Sequence, residues 1–162
     1  MPAEKPANGN GNGGALDWLR ARHDAIIADR TLDVAVPGYE NRLILRCGPV
    51  PWATVNRIQP LLEKNDREGS HALNAQADVV ISACREVLVR GDDGELAGID
   101  PSGPRRIDAT LAELLHIEAT TARQTLLWLF GDNGIALAVC AGRIMEWSQD
   151  TSADVEEALA SE

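Results

Sequence analysis

The apolar positions of the chain follow a helical period, switch to an alternating one, then return to a helical one. Residues 1–14 lack either pattern: Gly9, Gly11, Gly13 and Gly14 are interleaved with Asn8, Asn10 and Asn12. Such a stretch buries too little surface to offset its ordering entropy, so a flexible leader is expected over 1–14. From 15 to 30, Leu16, Leu19, His23, Ile26 and Ile27 fall on one face at helical spacing. Leu32, Val34 and Val36 then alternate with Thr31, Asp33 and Ala35, and after Pro37-Gly38-Tyr39-Glu40-Asn41 the alternation resumes as Leu43, Leu45 and Cys47. Two alternating runs about a Pro-Gly turn predict an antiparallel hairpin. A lone hairpin is marginal in water, so it must pack on helices or pair with another chain, and its edges are candidate assembly surfaces.

Helical spacing returns at Trp52, Val55, Ile58 and Leu62, with Pro51 suited to the start and Pro60 expected to kink or end the helix near Gln59. Residues 65–69 read as a polar break. Leu73, Ala77, Val80, Ile81, Cys84, Val87 and Leu88 make one stripe and predict a helix over 71–90, with Ser70 at its start and Gly91 after its end. The Gly/Pro-rich stretch 91–106 reads as a loop with room for a short ribbon at 96–99. Three helices follow: one capped by Asp108, one by Thr120 or Thr121 and ended by Gly131, and one capped by Asp132 or Asn133 that carries Ile135, Leu137, Val139, Cys140, Ile144 and Trp147. The expected fold class is α+β: one antiparallel β-hairpin packed on five or six short helices, as a single domain over 15–147. Residues 148–162 form an acidic C-terminal tail, with Asp150, Asp154, Glu156, Glu157 and Glu162 and no base.

Charge narrows the function classes. The 162 residues carry a net charge of −10, which argues against a general nucleic-acid binder and against attraction to an anionic membrane. Cys47, Cys84 and Cys140 are odd in number and far apart in sequence, so they read as buried free thiols in a reducing compartment. His23, His71 and His116 stand alone, and no metal-ligand spacing, nucleophile elbow or phosphate-binding glycine loop occurs. Gly91-Asp92-Asp93-Gly94-Glu95 lacks the spacing of a calcium loop and reads as a solvated turn, and Arg105-Arg106 as a solvated basic pair. No catalytic residue, metal or cofactor is expected. Trp18, Trp52, Trp128 and Trp147 fall in four predicted helices and read as core residues where helices meet. The other reading makes one or two of them exposed anchors, Trp128 first, because it sits in the run Leu126, Leu127, Trp128, Leu129, Phe130. The candidate partner-binding residues are Leu126, Leu127, Trp128, Phe130 and Trp147.

From Arg30 to about residue 150 the order of features resembles the small tail assembly chaperones of long-tailed, siphovirus-type phages of GC-rich hosts. The residues that carry it are R-T-L-D-V-A-V-P-G-Y with R-L-I-L-R and P-V-P-W, then A-D-V-V-I-S-A-C-R-E-V-L-V-R with its G-D-D-G loop. R-R-I-D and L-F-G-D-N-G-I-A-L…I-M-E-W complete the order, before the acidic end. The resemblance implies a non-enzymatic protein of the host cytoplasm. Its partners would be the tape-measure protein, whose helices it keeps soluble, and the tail-tube protein, whose subunits it helps recruit; it would be absent from the mature virion. A structural virion component (tail terminator, connector or minor tail protein) is the alternative. Self-association through residues 31–47 is also expected.

Overall fold

The computed structural model describes residues 4–63 and 70–160. Residues 1–3 and 161–162 of the expected leader and tail, and the polar break expected at 65–69, lie outside the described residues. The element order is α1 (Glu4–Asp29), β1 (Leu32–Ala35), β2 (Leu43–Cys47), α2 (Trp52–Glu63), α3 (Ser70–Ala83), β3 (Cys84–Arg90), β4 (Leu96–Gly98), α4 (Ala109–Leu114), α5 (Ala122–Leu129) and α6 (Gly134–Ala160). The chain divides into two compact units, residues 1–31 and residues 32–162. The α+β class is as expected.

The first unit is built on α1, and its backbone departs from expectation in one respect. The helix begins at Glu4 and runs through the Gly/Asn segment assigned to a flexible leader. Helix propagation from the 15–29 segment needs only one new hydrogen bond per residue, with no new nucleus. Each glycine nonetheless costs about 1 kcal/mol against alanine, so this end of α1 is its weakest part. Deleting residues 1–14 is therefore expected to leave the melting temperature of the 32–162 unit within a degree or two, measured by circular dichroism. A loss of many degrees would mean that the segment supports the rest of the chain.

In the second unit the hairpin forms as expected and is enlarged. β1 pairs antiparallel with β2 in the register Leu32↔Cys47, Val34↔Leu45 and Ala35↔Ile44. β2 then pairs with β3 and β3 with β4, giving one four-stranded antiparallel sheet in the order β1-β2-β3-β4. Residues 84–90, expected to be the last turns of a helix, are thus an inner strand. Val87 and Leu88 fit either period, and the sheet decides between them: β3 covers the second edge of β2, and Val87 and Val89 are β-branched. Gly91 accordingly ends a strand, not a helix, and the ribbon expected at 96–99 is β4.

Val34, Val36, Leu43, Leu45, Cys47, Cys84 and Val87 turn one face of the sheet into the core, where they meet Ala75, Ala77, Val79 and Val80 of α3 and Leu137, Cys140 and Ile144 of α6. Helix α3 packs against α2, α5 and α6, which is why its buried positions lie on more than one face. The opposite face of the sheet carries an ionic row. Arg46 donates to both carboxylate oxygens of Asp33 across the β1–β2 pair, at 2.9 and 3.0 Å, and Glu86 is its register partner on β3. Hydrogen bonding to Asp33 raises the Arg46 pKa above its usual value, against the opposing effect of burial.

Two further expectations change. Helix α2 runs unbroken from Trp52 to Glu63 with Pro60 inside it. Pro60 lies in the last turn on the exposed side, so the helix loses one hydrogen bond there while Ile58 and Leu61 keep their core packing. The acidic segment from 148 is the continuation of α6, which extends to Ala160. Its first residue is structural: Ser148 is buried and its hydroxyl accepts from the Val50 amide at 3.0 Å.

The basic pair of the 91–106 loop is also structural. Arg106 donates to the carbonyls of Cys84 and Ser82 at 3.1 and 3.3 Å, and Arg105 pairs with Asp100. The Asp100 carboxylate is buried and also accepts from the amide and hydroxyl of Ser102 at 2.9 and 2.7 Å. These Ser102 bonds, followed by that of Arg105, hold its pKa down at about 2 against an ordinary 3.8. The folded state then binds fewer protons than the unfolded state, so this contribution is present above about pH 4 and fades as pH falls towards about 2. Asp100→Asn is expected to lower stability at neutral pH and to flatten the loss between pH 4 and 2 in urea titrations. An unchanged acid slope would contradict the role given to Asp100.

Candidate partner-binding surface

Five consecutive apolar residues on one short helix cannot share a face. At 3.6 residues per turn, Leu126 to Phe130 point all round the axis, so some must be exposed. Thr121 caps α5 by accepting from the Gln124 amide at 3.1 Å, and the cap orients the helix. Thr125, Leu126 and Leu129 then face inward, and the Leu129 carbonyl accepts a 2.6 Å bond from the Tyr39 hydroxyl at the tip of the β1–β2 hairpin. The chain leaves α5 through Gly131 and Asp132, both left-handed with φ of +59° and +58°, and enters α6 at a bend of 107°. Glycine adopts that backbone freely and aspartate tolerates it. Asn133 caps α6 by accepting from the Ala136 amide at 3.1 Å.

The five candidate residues separate under this geometry. Leu126 and Phe130 are buried core residues and present nothing to a partner, which corrects their place in the set. Trp147 is half-buried on α6 and already engaged within the fold. Leu127 is half-buried and lines a groove with Asp78, Ile81 and Arg123. Asp78 holds that region together, reaching Arg57 of α2 at 3.5 Å and Arg123 of α5 at 3.2 Å. Trp128 is the member at the surface, 48% exposed.

Trp128 forms one wall of an open groove of about 530 Å³ whose other lining residues are Ile117, Glu118, Ala119, Gln124 and Asp132. Two carboxylates and no base line it, so the groove presents an indole beside negative charge. Other apolar residues expected on helix faces are exposed as well. Ile135 is 79% and Val139 65% exposed on α6, while Leu137, Cys140, Ala141 and Ile144 of the same helix are buried. The signal was available: 135 and 139 share one helical face, and 137, 140, 141 and 144 share another. Trp52 is 75% exposed at the start of α2, and Leu16, Trp18, Leu19 and Ile26 are exposed along α1. Trp18, Trp52 and Trp128 are therefore not the core residues that their helical positions suggest.

The remaining chemistry is structural. In the 91–95 turn, Asp93 accepts from the Glu95 amide at 3.0 Å and Gly94 adopts φ +83°. Among the described residues, no group of three or more His, Cys, Asp or Glu is placed to hold a metal ion, and no single helix is long and apolar enough to cross a membrane. Comparison with protein-family models, curated proteins and solved structures finds no match for the chain.

Proposed function

We propose that this protein is a non-enzymatic assembly chaperone of a phage tail. It binds the tape-measure protein through exposed apolar side chains, helps recruit tail-tube subunits, and leaves before the virion is complete. The observation that carries the reading is the exposure of Trp128 on a helix that buries Leu126 and Leu129 in the core. A half-exposed indole held on a capped, core-packed helix supplies a rigid contact for an apolar helix. Ile135 and Val139 add exposed apolar area, and the net charge of −10 opposes aggregation of the protein that carries it. The work is done in the host cytoplasm, where the client is made.

Co-expression with a tape-measure fragment tests the reading. The fragment is expected to stay soluble and to co-purify with this chain, and to precipitate alone. A fragment that never co-purifies would overturn the assignment. Detection of this chain in purified particles would favour the structural virion component instead. Self-association belongs to the same proposal, since β1 remains an edge strand. Light scattering at tens of micromolar is expected to give a mass above 17.4 kDa, and a strict monomer would remove this part of the proposal.

A further inference from the structure

Cys47 ends β2 and Cys84 begins β3, and the two are directly opposed in the antiparallel register. Both are fully buried, and neither is in a disulfide. Their place in the ladder is set by the next pair along: the Gly48 amide donates to the Ala83 carbonyl at 2.8 Å. Hydrogen-bonded and non-hydrogen-bonded pairs alternate in an antiparallel ladder, so Cys47 and Cys84 occupy a non-hydrogen-bonded position. That is where opposed Cα atoms come nearest, at about 4.5 Å. A regular pair of that kind falls within the roughly 4.4–6.8 Å range of disulfides. The Cys47 thiol donates to the Leu45 carbonyl and the Cys84 thiol to the Glu86 carbonyl, each at 3.7 Å.

We infer that Cys47 and Cys84 form a modification site that a small disulfide oxidant converts to a cross-strand disulfide, clipping β2 to β3. One cysteine, deprotonated, attacks the oxidant R–S–S–R and releases one R–SH. The second, deprotonated, attacks the resulting protein mixed disulfide at the protein sulfur and releases another R–SH. Two protein thiols are oxidised, one external disulfide is reduced, and the two protons lost by the cysteines leave on the two released thiols.

Access comes from the position of the pair at one end of the sheet. The register shifts between Arg46↔Glu86 and Cys47↔Cys84, so Arg85 is an extra residue in β3, a bulge that weakens the ladder beside the thiols. Beyond Cys47 the strand gives way to Gly48-Pro49. Opening confined to a sheet end costs less than global unfolding. The Arg85 guanidinium lies directly over Gly48, in the space that a Cβ there would occupy, while the neighbouring Cys84 and burial push the Cys47 thiol up, so its thiolate forms once the sheet end opens. A cation at that place favours the attacking thiolate once the pair opens. Cys140, buried on α6 in the same core, has no opposed strand partner and serves as the internal control.

The test uses the full chain, folded and fully reduced, exposed to oxidised glutathione in native buffer. The expected product has lost two hydrogens in mass and carries no glutathione. Peptide mapping without reductant joins the peptides of Cys47 and Cys84. Its melting temperature is expected to rise by roughly 5–10 °C over the reduced protein, and to fall back on adding reductant. Cys140→Ser should oxidise in the same way, and Cys47→Ser or Cys84→Ser should not form the product. The wild-type peptide map decides the matter even where a serine variant fails to fold. A persistent glutathione adduct, a bridge to Cys140, or reaction only in denaturant would each overturn the inference.

Discussion

Leu126→Ala is expected to destabilise the folded unit by about 2–5 kcal/mol. Leu126 is completely buried on α5, among Leu129 and Phe130 of the same segment and the core residues of α3 and α6. Truncation removes the transfer free energy of the deleted methyl-bearing carbons and leaves a cavity. The site has limited means to collapse, because α5 is fixed at both ends. Thr121 caps its start and Tyr39 holds the Leu129 carbonyl near its end. Urea unfolding should show a lower midpoint with an unchanged slope. A loss under about 1 kcal/mol would mean that this part of α5 repacks freely, contrary to its fixed ends. Because Leu126 does not reach the surface, any loss of partner binding in this variant should track the fraction unfolded.

Trp128→Ala is expected to do the opposite. It should weaken binding of a tape-measure fragment by about 1–3 kcal/mol, roughly 5- to 150-fold in Kd, with only a small change in melting temperature. The side chain is half out of the fold already, so its removal opens a surface groove further and creates no enclosed void. The large, rigid contact area of an indole is what the partner would lose. Titration of the fragment by fluorescence anisotropy, paired with thermal melts of both variants, separates the two residues. Equal binding by the wild type and Trp128→Ala would show that the client does not use this groove. A melting temperature as low as that of Leu126→Ala would show that the indole is a core element.

Adjacent positions on α5 thus differ in kind, and the sequence pattern alone could not divide them. A run of five apolar residues satisfies every helical template at once, so periodicity carries no phase there. Phase is supplied by the packing of α5 against α3 and α4, which depends on residues distant in sequence. On α6 the phase was legible, because the buried positions 137, 140, 141 and 144 follow their own spacing and leave 135 and 139 on another face.

The amino-acid sequence by itself determined the α+β class, the β1–β2 hairpin with its Pro-Gly turn and the cap at Asp108, and narrowed the next two caps to Thr120 or Thr121 and Asp132 or Asn133, of which the structure selects Thr121 and Asn133. It also determined that the three cysteines would be buried and free. Only the tertiary structure decided that residues 84–90 are a strand. Val87 and Leu88 suit a helix stripe equally well, and what selects the strand is the open edge of β2, whose backbone groups need partners. The same pairing brought Cys47 and Cys84 face to face from 37 residues apart in sequence. It also tied Arg105 and Arg106 to the fold through Asp100 and the carbonyls of Ser82 and Cys84. Spacing along the chain reports which side chains can share a face of one element. Which element then covers that face depends on edges and surfaces distant in sequence, and burial follows from that choice.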